Sequence, residues 1–175
     1  MIKDSGERRQ FSTGAVRDIQ EEGKGRCDLL PLDVLNYIYF LWKSDDEEER
    51  QGLILGHINS FMMTNDTDFL VGALETFLLC EGTNYGNWPT MFLEVSKHFA
   101  EGAKKYGEYN WQKGIPTHCY IDSAVRHYLK WLRGDDDEPH DRAFVWNILC
   151  CIWTCKHLPA LNDYKKDEKN EKLSV

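Results

Sequence analysis

The chain has no long apolar run. Nowhere in its 175 residues is there a segment approaching the ~20 consecutive apolar positions of a membrane-spanning helix. The opening MIKDSGERRQ also lacks the apolar core of a secretory signal, and both absences predict a cytoplasmic protein. A basic surplus is missing as well: 21 Lys and Arg face 29 Asp and Glu, a formal net charge of −8. That balance argues against a general nucleic-acid binder, which gains affinity by releasing counterions from phosphates. It leaves room for a small phosphorylated ligand, for which a local basic pocket suffices. None of the six cysteines forms a CxxC pair. Cys150, Cys151 and Cys155 fall in the apolar run WNILCCIWTC, where free cysteine behaves as a small hydrophobe. Cys151 and Cys155 at i, i+4, and His118 beside Cys119, make zinc the lesser alternative. No segment alternates polar and apolar residues as a half-buried strand does, so the expected fold class is all-α. The length suits one domain with a proper core.

What is present is a series of helical stripes. LPLDVLNYIYFLW opens with Pro31 at a helix N-terminus and continues apolar, which reads as a buried helix. SDDEEERQ from Ser44 has a good N-cap residue followed by acids, the pattern of a helix start or an exposed loop. Asn65 to Cys80 carries apolar residues at 69, 70, 73, 74, 77 and 78. EGTNYGNWP then breaks the pattern, and further helices are expected from Thr90 to about Tyr106, from about Tyr120 to Arg133, and after Pro139 to about His157. Residues 1–30 read as a loop-like arm contributing to the site, 36–90 as a possible helical insertion, and 160–175 as a flexible tail, charged and poor in aromatics.

Chemistry concentrates between Glu94 and Asn147. On a helix Glu94, His98 and Glu101 share one face at i, i+4 and i+7, and Lys105 extends it. Glu138 and Asp141 stand at i and i+3 directly after the turn Gly134 to Asp137. Such spacing most often marks a solvated face held by weak pairs. Yet the carboxylates from Asp135 to Glu138 repel one another unless a cation or a helix N-terminus offsets them. Two acidic faces are the ingredients of a divalent-cation site, because hard ions take oxygen ligands and bridge them to phosphate. The candidate metal ligands are Glu94, His98, Glu101, Asp137, Glu138 and Asp141, with Glu101, Glu138 and Asp141 as catalytic candidates. The phosphate-binding candidates are Lys104, Lys105 and Arg126, joined by Arg17, Lys24 and Arg26 from the glycine-rich GAVRDIQEEGKGR. That stretch is not a Walker loop, because Gly25, not Ser or Thr, follows Lys24. Tyr106, Asn110, Trp111, His127 and Asn147 complete the nucleotide-binding set, Asn110 as an amide and Trp111 as a stacking plane, with a core role the alternative for Trp111. Asp122 with Arg126, and Ser123 with His127, form two further i, i+4 pairs.

GAVRDIQEEGKGRCDLLP, HFAEGAKKYGEYNW with KGIP, YIDSAVRHYLKWLRGDDDE and H-DRAFVWN together resemble the N-terminal domain of bacteriophage dATP/dGTP diphosphohydrolases of the MazZ type. That group is similar to the MazG-like all-α nucleotide pyrophosphohydrolases. The resemblance covers residues 14–31 and 98 to about 152, and the motifs occur in order. It implies a MazG-like helical bundle that hydrolyses dGTP or dATP to the monophosphate and pyrophosphate, with Mg2+ or Mn2+ held by helix carboxylates, in phage nucleotide-pool remodelling. Glu138-Pro139-His140-Asp141 matches the ExxD motif of the MazG-like relatives. Their EExxE motif is not reproduced, and Glu94-x3-His98-x2-Glu101 is the nearest arrangement. The resemblance also favours a homodimer or homotetramer. Two other classes stand beside this reading: a non-hydrolytic nucleotide-binding or regulatory module, and a helical protein that binds a partner through the acidic segment Asp45 to Glu49.

Overall fold

The computed structural model describes residues 8–10, 16–18, 47–80 and 88–164. Its frame is five helices: α1 (Glu47–Thr64), α2 (Asp68–Leu78), α3 (Trp88–Tyr106), α4 (Thr117–Arg133) and α5 (His140–His157). Short 3-10 turns at Asn110–Lys113 and Pro159–Leu161 follow α3 and α5. The helical bundle expected from the sequence is therefore what forms. One detail differs, since Arg8–Gln10 (β1) pairs antiparallel with Val16–Asp18 (β2), with Arg9 opposite Arg17. Strands of three residues are too short to show an alternation in sequence. The helix expected from Pro31 lies outside the described residues.

The axis of the bundle is α5. Thirteen of its residues are buried, from His140 through Thr154, so it shows apolar character on all sides and is packed against both α3 and α4, with α2 on a further side. Phe144 and Ile148 point into a cluster with Phe77 of α2 and Tyr128 of α4, all fully or almost fully removed from water. Phe77 sits 4.5 Å from Phe144 and 5.0 Å from Trp131, ring centre to ring centre, in tilted and edge-on geometry. Tyr128 also ties α4 to α1, its hydroxyl donating to the Gln51 carbonyl at 2.7 Å.

The turns follow from local chemistry. Asn65 takes a left-handed conformation at φ 61° and closes α1 with its N–H on the Phe61 carbonyl. Asp66 then accepts the Asp68 N–H at 3.0 Å to start α2. Gly134, at φ 82°, ends α4 by donating to the Trp131 carbonyl while Asp135 N–H reaches Lys130. Gly114 has a tighter reason to be glycine: φ is 116°, and a Cβ would lie 2.6 Å from Leu161 Cδ1. α4 begins at Thr117, earlier than Tyr120, because Pro116 is pre-set for a helix entry and Asp163 accepts from Thr117 Oγ1 and from the His118 N–H. Of the tail expected over 160–175, residues 165–175 lie outside the described residues. Asn162, Asp163 and Tyr164 are held on the bundle, Tyr164 edge-on to Phe61.

Candidate functional site

Two features meet on one side of α5, an aromatic cavity and a polar cluster, with His98 between them. The cavity, about 310 Å³, lies among α3, the 3-10 turn after it and α5. Its wall includes His98, Tyr106, Asn110, Trp111 and Trp146, with Gly102 leaving space on the α3 side. Phe99 packs edge-on to Trp111 at 5.4 Å. The turn that carries Asn110 and Trp111 is set by Gly107 (φ 93°) and Tyr109 (φ 57°), which swing the chain back across the end of α3.

Three polar atoms of this wall, His98 Nδ1, Trp111 Nε1 and Trp146 Nε1, are buried without a hydrogen-bond partner. Buried polar groups normally find one, and each that does not costs ~1–3 kcal/mol. The His98 ring lies 5.2 Å from the Trp146 ring. Burial, aided by the charge of Arg142, pushes its pKa down to about 4, so the imidazole is neutral at neutral pH. The charges of Glu101, His127 and Glu138 also act on it, which places His98 where the cavity meets the polar cluster.

That cluster gathers where α4 ends and α5 begins. Arg142, only 8% exposed, donates from Nη2 to both oxygens of Glu101 at 3.0 and 2.9 Å, and its Nε is buried and unpartnered. Asp141, 1% exposed, accepts the Arg142 N–H on Oδ1 and leaves Oδ2 buried with no partner. His140 Nε2 donates to Asp137 Oδ1 at 2.8 Å, and Asp137 also accepts from Lys130. Those two contacts, Lys130 first, hold the Asp137 carboxyl down at about 2. His127 Nδ1 lies 3.1 Å from His140 Nδ1, and burial lowers the His127 pKa in spite of Glu138. Among the described residues, His127, Glu138 and His140 form one group of possible metal ligands, and Asp135, Asp137 and His140 another. The donor set thus fits a divalent cation, and the buried Asp141 Oδ2 is an acceptor with no hydrogen-bond donor.

The structure brings together His98, Tyr106, Asn110 and Trp111 around the cavity, and Glu101, His127, Asp137, Glu138 and Asp141 around the head of α5. The other described candidates are engaged elsewhere. Glu94 is paired with Lys97 one turn back along α3. Lys104 and Lys105 are exposed at the end of that helix, Lys105 over the Tyr106 ring at 5.0 Å. Arg126 is bound to Asp122 and Ser123 on an open groove of α4. Asn147 closes on its own helix, donating to the Ala143 carbonyl. Arg17 lies in β2, and Lys24 and Arg26 fall outside the described residues. The Asp122–Arg126 pair forms as spaced, but Ser123 serves Arg126 while His127 turns to His140. Glu138 precedes α5, so it and Asp141 do not lie side by side on a helix; its carboxylate faces the two histidines instead. The mutual repulsion expected along Asp135 to Glu138 is relieved by Arg133, Lys130 and His140.

Residues 78–164, about half of the chain, match the family model described as dATP/dGTP diphosphohydrolase, N-terminal. Over that span the chain belongs to the dATP/dGTP diphosphohydrolase N-terminal family. By its name the family is one of hydrolases acting on the anhydride bonds of deoxynucleoside triphosphates. The match spans both halves of the site, from α3 through Tyr164. No curated protein sequence and no solved structure matches the chain. None of the described helices is long and apolar enough to cross a membrane. Site residues that the sequence reading passed over are His140, Arg142 and Trp146. His140 sits inside the ExxD match, Arg142 directly follows it, and Trp146 stands one turn further on, at i+4 from Arg142.

Proposed function

We propose that this chain hydrolyses a purine deoxynucleoside triphosphate, dGTP or dATP, to the monophosphate and pyrophosphate in a metal-dependent reaction, as part of phage nucleotide-pool remodelling. The observation that carries the reading is the aromatic cavity with its three unpartnered polar atoms, abutting a cationic and acidic cluster. A planar, hydrogen-bonding base suits the first, and a polyphosphate with its cation suits the second.

In this reading the base enters between Trp111, Trp146 and His98. The two indole N–H groups donate to ring nitrogens or a carbonyl, and neutral His98 accepts or donates through Nδ1. Asn110 offers an amide at the rim, and Tyr106 covers the exposed side of the base. The phosphates then run past His98 towards Arg142. Its Nε is free to donate, and its hold on Glu101 is exchangeable for a phosphate oxygen, a planar fork being suited to either. Exchange releases the Glu101 carboxylate to orient the attacking water. Glu138 and Asp141 would hold a divalent ion at the head of α5, and that ion would supply charge neutralisation for the phosphates and polarisation of the anhydride.

Product analysis tests the reading. Protein incubated with each dNTP and magnesium or manganese is expected to yield dGMP or dAMP with pyrophosphate. Orthophosphate with a nucleoside diphosphate, or tight binding without turnover, would refute it, the latter in favour of a non-hydrolytic nucleotide-binding module.

A further inference from the structure

We infer that His127, His140 and Glu138 form a binding site for one first-row transition-metal ion, of the zinc or manganese kind, with Asp137 as the group that orients His140. The inference rests on the head of α5 being a metal centre and specifies a ligand set that is not all-carboxylate. Three distances carry it. His127 Nδ1 and His140 Nδ1 are 3.1 Å apart, and Glu138 Oε1 lies 3.5 Å from the first and 3.6 Å from the second. A triangle with those sides has a point about 2.0 Å from all three corners, and ~2.0–2.2 Å is the bond length from zinc to an imidazole nitrogen or a carboxylate oxygen. An ion seated there is within bonding distance of all three atoms.

Hydrogen bonding alone does not account for the arrangement. At 3.5 and 3.6 Å the Glu138 oxygen is beyond a normal hydrogen bond to either ring, yet it approaches both equally, as ligands of a shared ion do. A second, independent contact points the same way. His140 Nε2 donates to Asp137 at 2.8 Å, which places the proton on Nε2 and leaves the Nδ1 lone pair facing His127 and Glu138. A metal-ligating histidine is typically oriented by such a carboxylate on its other nitrogen. Asp137 is in turn anchored by Lys130. The ligands also sit at different depths: the His140 side chain is 1% exposed and that of Glu138 45%. One side of the ion is therefore fixed in the protein, and the other opens to an incoming oxygen. Two imidazoles and one carboxylate favour zinc, manganese or iron over magnesium, which prefers an all-oxygen octahedron.

Titration of chelator-stripped protein with Co2+ as a visible probe, and with Zn2+ in competition, tests the site without nucleotide. One Co2+ per chain is expected, with a d–d spectrum of nitrogen and oxygen ligation, displaced by Zn2+. Glu138→Gln and His127→Ala should each weaken binding at least roughly tenfold, and Asp137→Asn by about tenfold to a hundredfold through the loosened His140 ring. His140 is buried and its replacement risks the fold, so Glu138→Gln, at an exposed position, is the decisive variant; circular dichroism confirms that it is folded. Absence of Co2+ binding, unchanged affinity in Glu138→Gln, or a thiolate charge-transfer band showing cysteine ligation would overturn the inference. Hydrolysis is scored separately. Co2+ binding without dNTP cleavage sinks the functional reading and leaves this site standing, whereas cleavage with magnesium and no Co2+ binding sinks the site alone.

Discussion

Replacing His98 by glutamine should flatten the acid side of the stability profile. His98 is neutral in the folded protein because burial, and then Arg142, push its pKa down from 6.5 to about 4. In the unfolded chain it titrates near 6.5. Between those two values the unfolded state binds the extra proton, so stability rises with pH across the window and falls as pH is lowered through it. Above pH 6.5 the contribution is complete, and below 4 nothing further is lost. A gap of that size corresponds to about 3 kcal/mol in full and about 2.5 kcal/mol by pH 4.5, a large share of the ~5–15 kcal/mol that holds a domain together. Urea unfolding at pH 7 and pH 4.5 measures it: wild type should lose about 2.5 kcal/mol more between the two than His98→Gln. The other titrating groups, His127 among them, are common to both proteins and cancel in the comparison. An equal loss in the variant would mean that His98 is solvated and protonated normally, and then its Nδ1 is not a buried, unpartnered group.

Trp146→Phe keeps an aromatic ring and removes an indole N–H that is buried without a partner; thermal melting should show unchanged or slightly higher stability, while deoxynucleotide affinity falls by about 1–2 kcal/mol. A lowered melting temperature with unchanged affinity would make Trp146 a core residue only. Asp141→Asn and Glu138→Gln should each lower the hydrolysis rate at saturating metal by at least ~3 kcal/mol, on the order of a hundredfold. Their folds should stay within ~1 kcal/mol of wild type, since neither loses packing volume. Asp122→Asn, which touches only the exposed pair with Arg126, should change neither by more than ~0.5 kcal/mol, and equal rates in all three variants would reduce Glu138 and Asp141 to structural carboxylates.

The parts of this molecule that were legible in the sequence are those fixed by local periodicity and turn chemistry. The stripe at 69, 70, 73, 74, 77 and 78 gave α2 because Leu70, Ala73, Leu74, Phe77 and Leu78 face the core. Pro139 and Gly134 marked the two sides of the α4–α5 turn because one cannot continue a helix inward and the other supplies the left-handed cap. The cavity was half legible. Asn110 and Trp111 were selected by residue type in a loop motif, but their partner Trp146 is 35 positions further on in a helix whose apolar run reads as uniform core, and only the packing of α3 on α5 shows that its indole turns to the cavity.

The head of α5 was misread for a physical reason. Helical spacing pairs Glu138 with Asp141 at i, i+3, but that geometry needs both residues inside the helix, and α5 begins at His140. Glu138 therefore swings out to meet a histidine on another helix, while Asp141 is drawn under the first turn, where one oxygen takes the Arg142 N–H. The same limit explains Glu101. On α3 it stands in register with Glu94 and His98, yet α5 brings the Arg142 guanidinium against it, and the contact of Nη2 with both carboxylate oxygens outweighs a shared face with a carboxylate already held by Lys97. Across helices the pairing is decided by which side chains the crossing places within about 3 Å, and spacing along one chain segment carries no information about that. Of the predicted carboxylates, Glu101, Asp137, Glu138 and Asp141 meet at the head of α5, and Glu94 does not. What the crossing added were His140 and Arg142, beside the already selected His127, and with them a site whose charges are partly balanced before any substrate arrives.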